Sequence, residues 1–397
     1  MSKRISARKT IIGGLLLLSP FLFFSCSGHD ETATEPTTTA AKTILMFLPY
    51  SGDSNNLYNN FLQNISDMEL AIADAGGLGG NRLLVCISLT SSRAALVNIA
   101  YQNGQCRRDT LCRYDRPALT TTEGIANVLN DAKAFAPAHQ YALVVGSHGE
   151  GWLPVRGPRR APSTRYFGGT GSAYQIETTT LARAIDLADM HMQFILFDDC
   201  YLSTVEVAYD LRHAADHLIA STSEIMAYGM PYRPLLPMLI SSTPDYDGVC
   251  RQFLDFYKNY KNNGQPMPYG TLAVTDLRQI DSMAALMREI NSQCAFDTSQ
   301  TELLQDLDAA HWTPTVYFDF DDYTDHLCGE RRDLYARFEE QLARLVVCKA
   351  ATENIYSATG KTTLPLRRFS GLAISDPSEN ELVGTSKQQT AWWAATH

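Results

Sequence analysis

Two apolar segments of this chain each end in a chemically reactive residue. Their sequences are Tyr141-Ala-Leu-Val-Val-Gly-Ser-His148 and Phe194-Ile-Leu-Phe-Asp-Asp-Cys200. Continuous apolar runs of this length, bounded by helical patterns, are typical of buried strands in a parallel sheet. Open α/β sheets place their chemistry just beyond the carboxyl ends of such strands. We therefore expect His148 and Cys200 to face one crevice and to form a cysteine–histidine nucleophilic pair.

Strand and helix patterns alternate along the first part of the chain. An apolar strand pattern at residues 43–48 precedes a helical pattern at residues 57–75, and the alternation continues to about residue 232. This order predicts an α/β fold with a mostly parallel sheet and helices on both faces. We assign residues 42–240 to this core and residues 241–397 to a C-terminal α+β subdomain that extends and braces it.

Some segments carry weaker patterns. Residues 153–175 have little apolar pattern and are predicted to form a long loop, after which Thr178 or Thr179 is expected to cap a helix. Beyond residue 240, the patterns predict helices at residues 249–261, 277–292, 301–309 and 332–347 and strands at residues 270–275 and 315–320.

The N-terminus has the pattern of an export signal. Basic residues precede a mostly apolar stretch, residues 11–24, which is too short to span a membrane comfortably. The stretch ends before Cys26 and resembles a bacterial lipoprotein signal, in which residues 1–25 are removed and Cys26 carries the lipid. The alternative is an ordinary secretory signal with an incidental cysteine. Residues 26–41 are predicted to be a disordered tether. We therefore expect a lipid-anchored protein of the cell envelope, at the outer membrane, facing the periplasm or the surface.

Charge and cysteine content restrict the classes of partner. The net charge of −10 argues against a nucleic-acid partner, and we expect a monomer. The chain has nine cysteines, none in the close pairs of a zinc site. Cys106 and Cys112 flank a short polar segment and could form a local disulfide. The alternative is that most of the cysteines are buried thiols.

The surroundings of the two reactive residues favour acyl transfer. A thiolate forms more readily beside an imidazole, and a helix that begins just after Cys200 would add the field of its N-terminus. The same geometry would offer backbone N–H groups to a developing oxyanion. Gly149 would let the backbone approach a substrate carbonyl closely. Together these are the parts of an acyl transferase or a peptidase.

Two acids stand directly before the cysteine. Side chains along a strand alternate between faces, so Asp198 is expected on the side of Cys200 and Asp199 on the other side. A carboxylate two residues before the nucleophile can form the floor of the pocket for the residue before the scissile bond, and would select arginine or lysine. The alternative is that one of the acids only caps the following helix.

At these residues the chain resembles the clostripain family of cysteine peptidases, within the caspase-like clan that also contains gingipain and legumain. His148-Gly-x-Gly-Trp152 matches the family's histidine motif, and Phe197-Asp-x-Cys200, followed by Val205 to Tyr209, matches its nucleophile motif. Cys200 follows His148 by 52 positions, which agrees with the spacing in caspases. The loop around Asp53 and the segment from Ser221 to Tyr232 fit as well.

The resemblance implies a caspase-like fold and a role for each matching residue. Cys200 is the implied nucleophile, His148 the implied general acid and base, and Asp198 the implied specificity acid for cleavage after Arg or Lys. No third orienting acid and no cofactor are implied, and the partners are protein or peptide substrates with basic residues. Asp199 and the Tyr201-Leu202 pair depart from the family's usual residues and could reshape the pocket wall.

Further expectations concern the surroundings of the pocket. Gly149, Asp199 and Trp152 are candidate substrate-binding residues, although a tryptophan is more often a packing residue. Glu224 either lines the substrate groove or is an ordinary surface charge. Calcium, which some relatives need, is an option here, and the acidic residues at Asp319, Asp321 and Asp322 lack a complete calcium-loop spacing.

Self-cleavage is a second implication of the resemblance. Several relatives are activated in a loop after the histidine strand, and the corresponding residues 153–175 contain Arg156, Arg159, Arg160 and Arg165. Basic residues in a long polar loop suit an Arg-specific protease. The alternative is a solvated loop that stays intact.

Two functional hypotheses from different classes follow. The first is an active cell-envelope cysteine endopeptidase. The second is a catalytically silent caspase-like binding module on the bacterial surface. The intact pair of Cys200 and His148 favours the enzyme, because a retained pair seldom has a structural reason. Another acyl-transfer enzyme on the same fold is a weaker third hypothesis.

Overall fold

The computed structural model describes residues 38–49, 57–154, 165–169, 172–384 and 386–397. Within these ranges the strands are, in chain order, β1 (Ala40–Leu48), β2 (Arg82–Thr90), β3 (Arg93–Gln102), β4 (Gln105–Asp115), β5 (Ala138–Gly146), β6 (His148–Pro154), β7 (Arg165–Gly168), β8 (Gln175–Glu177), β9 (Met192–Asp198), β10 (Ala215–Ala220), β11 (Lys261–Asn262), β12 (Gln265–Pro266), β13 (Thr271–Asp276), β14 (Phe318–Asp319), β15 (Val346–Ala351), β16 (Asn354–Ser357), β17 (Thr362–Pro365) and β18 (Ala373–Ile374). The α-helices are α1 (Leu57–Asp74), α2 (Thr122–Phe135), α3 (Thr178–Leu187), α4 (Val205–Leu211), α5 (Tyr232–Ile240), α6 (Tyr246–Lys258), α7 (Ile280–Gln293), α8 (Phe320–Cys328), α9 (Arg332–Leu345), α10 (Glu381–Gly384) and α11 (Ala391–Thr396). None of these helices is long and apolar enough to cross a membrane.

A nine-stranded sheet in the order β15-β13-β10-β9-β5-β1-β2-β3-β4 forms the centre of the fold. Its five central strands, from β10 to β2, are parallel. Two antiparallel strands complete the sheet at each edge. Helices connect most of the parallel strands, because a parallel return needs a long crossover. The predicted α/β fold with a mostly parallel sheet is confirmed.

Side chains of the central strands alternate between two hydrophobic cores. On β1, Ile44, Met46 and Leu48 pack in the core formed with α1, α5 and α6. Leu45 and Phe47 pack in the core of the opposite face, formed with α2, α3, α4 and α7. This division follows from the two-residue period of a strand. Helices therefore cover both faces of the sheet, as the alternation of patterns predicts.

The C-terminal part of the chain extends the same sheet. β13 pairs antiparallel with β10, and β15 pairs with β13 at the sheet edge. The last helix, α11, packs against α4 and α7. At the other end of the described chain, β1 begins at Ala40, two residues before the predicted start of the core, and Ala40 pairs with Ala138 of β5.

The segment at residues 153–175, predicted to be a loop, contains regular structure. β7 pairs antiparallel with both β6 and β8 in a separate three-stranded sheet. Phe167 and Ile176 are fully buried and attach these strands to the core. Two isolated apolar residues in a polar stretch give too weak a period for this sheet to be predicted.

Several local predictions also differ from the structure. The predicted helix at residues 301–309 is absent, and a 3₁₀ helix spans Thr298–Leu303 instead. The predicted strand at residues 315–320 is reduced to β14, because the Asp319 carboxylate caps α8. α3 has Glu177 at its N-cap, with no side-chain cap bond, rather than Thr178 or Thr179.

Cys106 and Cys112 do not bond to each other. Both lie on β4, where six residues of extended chain separate them by about 20 Å, far beyond disulfide reach. Cys106 is a free thiol that donates a hydrogen bond to the Glu69 carbonyl oxygen at 3.4 Å. The local disulfide is therefore excluded.

Candidate active site

The carboxyl ends of β5 and β9 open into one cleft of about 520 Å³. His148 and Cys200 both line this cleft, each just beyond the end of its strand. β5 and β9 pair in parallel with Gly146 opposite Asp198, so the two strands end at the same level. The structure therefore brings the two predicted reactive residues to one site.

The residue after the histidine has to be glycine for the two strand ends to meet. A Cβ on Gly149 would lie 2.2 Å from the carbonyl oxygen of Cys200 and 2.4 Å from the Leu202 side chain. Both distances are far too short for non-bonded atoms. Gly149 thus lets the chain after His148 pack directly on the turn that carries Cys200. The close approach that the sequence assigned to a substrate carbonyl is made here with the protein's own backbone.

Cys200 lies in a turn and not at a helix N-terminus. The Ile225 N–H donates a hydrogen bond to the Cys200 sulfur at 3.3 Å. Tyr201 follows with a left-handed φ of 61°. α4 begins only at Val205, with Thr204 as its cap. A helix does follow Cys200, as predicted, but its first residue lies five positions after the cysteine. The Ile225 N–H, and not the helix N-terminus, is the backbone donor at the sulfur.

Burial makes both reactive groups neutral in the free protein. It raises the pKa of the Cys200 thiol well above its usual value, and the nearby Glu224 carboxylate raises it further. Burial also lowers the pKa of His148, although Glu150 and Glu224 oppose this change. At neutral pH the thiol therefore keeps its proton and the imidazole is uncharged. The Cys200 thiol would therefore have to lose its proton before or while its sulfur acts as a nucleophile.

Asp198 lines the cleft two positions before Cys200. Its carboxylate accepts hydrogen bonds from the Met230 N–H at 2.9 Å and from the Tyr232 hydroxyl at 2.8 Å. Burial raises the pKa of Asp198 to about 7, although both hydrogen bonds lower it. Only 9% of the residue is exposed. A carboxylate that is partly protonated near neutral pH thus forms part of the cleft wall.

The loop between β10 and α5, which contacts Asp198, is held in place by α6. Gly229 has a φ of 76°, and a Cβ there would lie 2.5 Å from an Asp198 carboxylate oxygen. The Tyr257 hydroxyl, on α6, donates a hydrogen bond to the Gly229 carbonyl oxygen at 2.7 Å. Tyr257 is fully buried. The position of α6 therefore determines the shape of the wall around Asp198.

Asp199 also lines the cleft, and it links the two strand ends. Its carboxylate accepts hydrogen bonds from the backbone N–H of Ser147 and, at 3.1 Å, from the Ser147 hydroxyl. Ser147 directly precedes His148, so this contact holds the histidine strand beside the cysteine turn. Capping of α4 by either acid is excluded, because Thr204 occupies that position.

His311 lies between two carboxylates of the cleft. Its Nε2 is 3.7 Å from a Glu150 oxygen, and its Nδ1 is 3.8 Å from a Glu224 oxygen. Although burial lowers it, the pKa of His311 is raised to about 9 by these two acids. His311 is therefore cationic at neutral pH and offsets part of their charge. No sequence signal indicates His311, since it lies alone in a segment without a helix or strand pattern.

Trp152 does not line the cleft. It is fully buried in the hydrophobic core, so its prediction as a substrate-binding residue is wrong. The reason lies one residue earlier: Gly151 has a φ of 68°, and a Cβ there would lie 2.1 Å from the Tyr317 hydroxyl. The backbone passes tightly over Tyr317, which also accepts a hydrogen bond from the Trp152 N–H at 3.2 Å.

The remaining predicted residues fall in two groups. Cys26, Arg156, Arg159 and Arg160 lie outside the described residues. Arg165 lies in β7, where its backbone is opposite Pro154 of β6.

The acidic residues considered for calcium have other partners. Asp319 caps α8. Arg368 donates hydrogen bonds to Asp321 at 2.7 Å and to Asp322 at 3.2 Å. In the described part of the chain, no group of three His, Cys, Asp or Glu side chains is arranged to hold a metal ion.

Comparison with known proteins identifies close similarities. A model of the clostripain family matches residues 50–365. The secreted C11 cysteine protease iotapain from Bacteroides thetaiotaomicron is 43% identical, with a TM-score of 0.83, over 91% of this chain and 100% of that chain. A clostripain from the same species, in complex with the peptide inhibitor BTN-VLTK-AOMK, is 47% identical, with a TM-score of 0.55, over 58% of this chain and 99% of that chain.

A more distant structure is also similar over the whole fold. An inactive zymogen C11 protease from Parabacteroides distasonis is 26% identical, with a TM-score of 0.76, over 92% of this chain and 100% of that chain. Among curated protein sequences, none matches significantly. Because the family match covers most of the chain and iotapain is similar over nearly all of it, this chain belongs to the clostripain family of cysteine peptidases.

Proposed function

We propose that this cysteine peptidase cleaves peptide bonds after arginine or lysine, with Cys200 as the nucleophile and His148 as the general acid and base. The observation that carries the proposal is the carboxylate of Asp198, which lines the cleft two positions before Cys200. A carboxylate in this place is suited to bind a guanidinium or an ammonium group through charge-assisted hydrogen bonds.

The charge of the whole cleft supports a basic substrate residue. The described residues that line it include four acids and neither lysine nor arginine. These acids are Glu150, Asp198, Asp199 and Glu224. His311 also lines the cleft and is cationic, so it offsets part of this charge and leaves the acids in excess. A cleft with an excess of one sign of charge between low-dielectric walls attracts the opposite charge. A basic side chain is therefore attracted, and an acidic one is repelled.

A relative supports the same specificity. The clostripain from Bacteroides thetaiotaomicron was solved with an inhibitor whose peptide letters, VLTK, end in lysine. That protein is 47% identical to this chain over the part they share. We transfer the preference for a basic residue to Asp198 on this basis.

In the proposed reaction, His148 accepts the thiol proton while the Cys200 sulfur attacks the scissile carbonyl carbon. Because both groups are neutral beforehand, proton transfer and attack are coupled. The carbonyl oxygen gains negative charge, and we assign the backbone N–H groups of Gly149 and Cys200 as candidate donors to it. His148 then gives its proton to the leaving amine, and water hydrolyses the thioester.

We also propose that a lipid on Cys26 anchors the protein to the cell envelope. The export pattern before Cys26 supports this location, and the relative iotapain is described as secreted. Residues 26–39 would then tether β1 to the membrane.

Self-cleavage at Arg156, Arg159 or Arg160 is a further part of the proposal. These residues lie between β6 and β7 in the sequence, and a relative is described as an inactive zymogen. Arg165 is a poorer site, because β7 would have to separate from β6 before a protease could bind it. The proposed chemistry uses no cofactor, and the assays below include calcium as a variable.

The test of the proposal uses the chain from Ser27 and fluorogenic peptides that end in Arg, Lys, Asp, Asn or Leu, with and without calcium. We expect release of the fluorophore after Arg and Lys, because only these side chains carry the charge that complements Asp198. The matched control is Cys200→Ala, which should release none.

Three results would contradict parts of this proposal. Cleavage that persists in Cys200→Ala would exclude that residue as the nucleophile. Cleavage after Asp, Asn or Leu would exclude the role of Asp198. A lack of all cleavage by a chain already cut within residues 155–164 would favour the catalytically silent binding module.

Asp198→Asn tests the specificity pocket alone. The amide keeps the size of the side chain and removes its charge, so kcat/KM for Arg and Lys peptides should fall about 100-fold. The rate of Cys200 alkylation by iodoacetamide should stay within about twofold of the original, which shows that the nucleophile is intact. An unchanged preference for Arg and Lys would refute the assignment.

The pH dependence of the rate follows from the same carboxylate. Asp198, with a pKa of about 7 in the free enzyme, becomes protonated as the pH falls through 7 and then cannot pair with a cation. We expect kcat/KM for Arg peptides to fall below about pH 7, whereas kcat falls only at lower pH, because a bound cation stabilises the carboxylate. Steady-state kinetics between about pH 5 and 9 measure both. The fall in kcat/KM near pH 7 should be absent in Asp198→Asn, and its persistence there would exclude Asp198 as the cause.

Asp199→Ala tests the link between the strand ends. Loss of this carboxylate frees Ser147 and shifts His148, and a displacement of about 1 Å can cost about 100-fold in rate. We expect kcat to fall about 100-fold and KM for Arg peptides to change less than about threefold, since Asp198 is untouched. Ser147→Ala, which keeps the backbone hydrogen bond to Asp199, should show a smaller fall in kcat than Asp199→Ala. An Asp199→Ala enzyme with normal kcat would contradict the positioning role.

A further inference from the structure

Two cysteines from distant parts of the chain have their sulfur atoms in direct contact. Cys250, on α6, and Cys348, on β15, have sulfurs 2.8 Å apart, although 98 positions separate them in the sequence. This distance is shorter than a non-bonded contact of two sulfur atoms and longer than a disulfide bond of about 2.05 Å. The fold thus brings both thiols within reach of a covalent bond.

The pair lies at an edge of the main sheet. β15 is the last strand on that side, with β13 as its neighbour in the sheet, and α6 packs on it. Cys250 is buried, whereas Cys348 is partly exposed and donates a hydrogen bond to the Tyr246 carbonyl oxygen at 3.1 Å. A hydrogen bond with Cys348, together with burial, raises the pKa of Cys250. Because Cys348 is the more exposed of the two thiols, an oxidant would react with it first.

We propose that Cys250 and Cys348 form a disulfide in the exported protein. Disulfides form in oxidising compartments outside the cytoplasm, and both the export pattern of this chain and the secreted relative iotapain point to such a compartment.

The bond forms by exchange with a disulfide-containing oxidant, either a small molecule or an oxidoreductase. The Cys348 thiolate attacks the oxidant and releases one of its thiols, which leaves a mixed disulfide. The Cys250 thiolate then attacks the Cys348 sulfur and releases the second thiol. Two thiols of this chain are oxidised, one disulfide of the oxidant is reduced to two thiols, and the two protons pass to the released sulfurs.

The bond would fix the helix that supports the specificity pocket, a consequence that rests on the proposed function. Cys250 and Tyr257 lie about two turns apart on α6, and therefore on nearly the same face. Tyr257 holds the carbonyl of Gly229, which packs on Asp198. A bond from Cys250 to the sheet edge would restrain α6 and with it the wall of the pocket.

The direct test is made on the Cys200→Ala chain, which cannot cut itself. The protein is incubated with oxidised glutathione, denatured in an alkylating reagent, digested and analysed by mass spectrometry. We expect a cross-linked pair of peptides containing Cys250 and Cys348, which disappears after reduction with dithiothreitol. Quantitative alkylation of both cysteines in the oxidised sample would overturn the proposal.

Thermal unfolding of the same protein gives a second readout. A loop of this length should stabilise the fold enough for reduction to lower the Tm by about 5–10 °C. Cys348→Ser should begin at the lower Tm and not respond to dithiothreitol. The matched control, Cys106→Ser, removes a thiol outside the pair and should respond like the parent. An equal response of Cys348→Ser and the parent would contradict the proposal.

The effect on the pocket is measured in the chain that retains Cys200. We expect Cys348→Ser to raise KM for Arg peptides at least about threefold, with kcat within about twofold, whereas Cys106→Ser changes neither. Unchanged KM would refute the link to the pocket. The mass measurement needs no peptide cleavage, so failure of the disulfide and failure of the Arg/Lys proposal are distinguishable.

Discussion

The buried contact between Asp199 and Ser147 is the interaction on which the rest of the site depends. Parallel pairing ends β5 and β9 at one level, but it does not by itself hold the residues beyond them together. The Asp199 carboxylate accepts both the backbone N–H and the hydroxyl of Ser147. Gly149, with no Cβ, then packs on the Cys200 carbonyl. The hydrogen-bonded carboxylate of Asp199 and the absence of a side chain at Gly149 thus bring the chain around His148 against the turn that carries Cys200.

Exclusion of water determines the charge of this site. Burial keeps the Cys200 thiol protonated and the His148 imidazole neutral, and it holds Asp198 near its midpoint at physiological pH. A cation in the pocket would stabilise the ionised form of Asp198. Asp198 would thus become fully ionised only when a basic side chain binds in the pocket. His311 limits the excess of negative charge contributed by the surrounding acids.

The sequence predicts the central sheet and its two reactive residues, because both signals are local. An apolar run followed by a histidine or a cysteine needs no knowledge of distant chain. His311 could not be predicted, since only the tertiary fold brings it between Glu150 and Glu224. Trp152 belongs to a recognisable motif, yet a motif does not say which way a side chain points, and the close passage of the backbone over Tyr317 directs it into the core. Helix α5 escaped prediction because its two prolines weaken the helical pattern.

The order of the strands gives one more consequence. β5 and β6 precede residues 155–164, and β7 and β9 follow them, yet β5 pairs with β9 and β6 pairs with β7. A chain severed in that interval would become two polypeptides that share one continuous sheet and two common cores. His148, the proposed base, would belong to the first polypeptide, and Cys200, the proposed nucleophile, to the second. Such a peptidase would be a heterodimer made from a single gene product, whose catalytic pair exists only at the junction of its two chains.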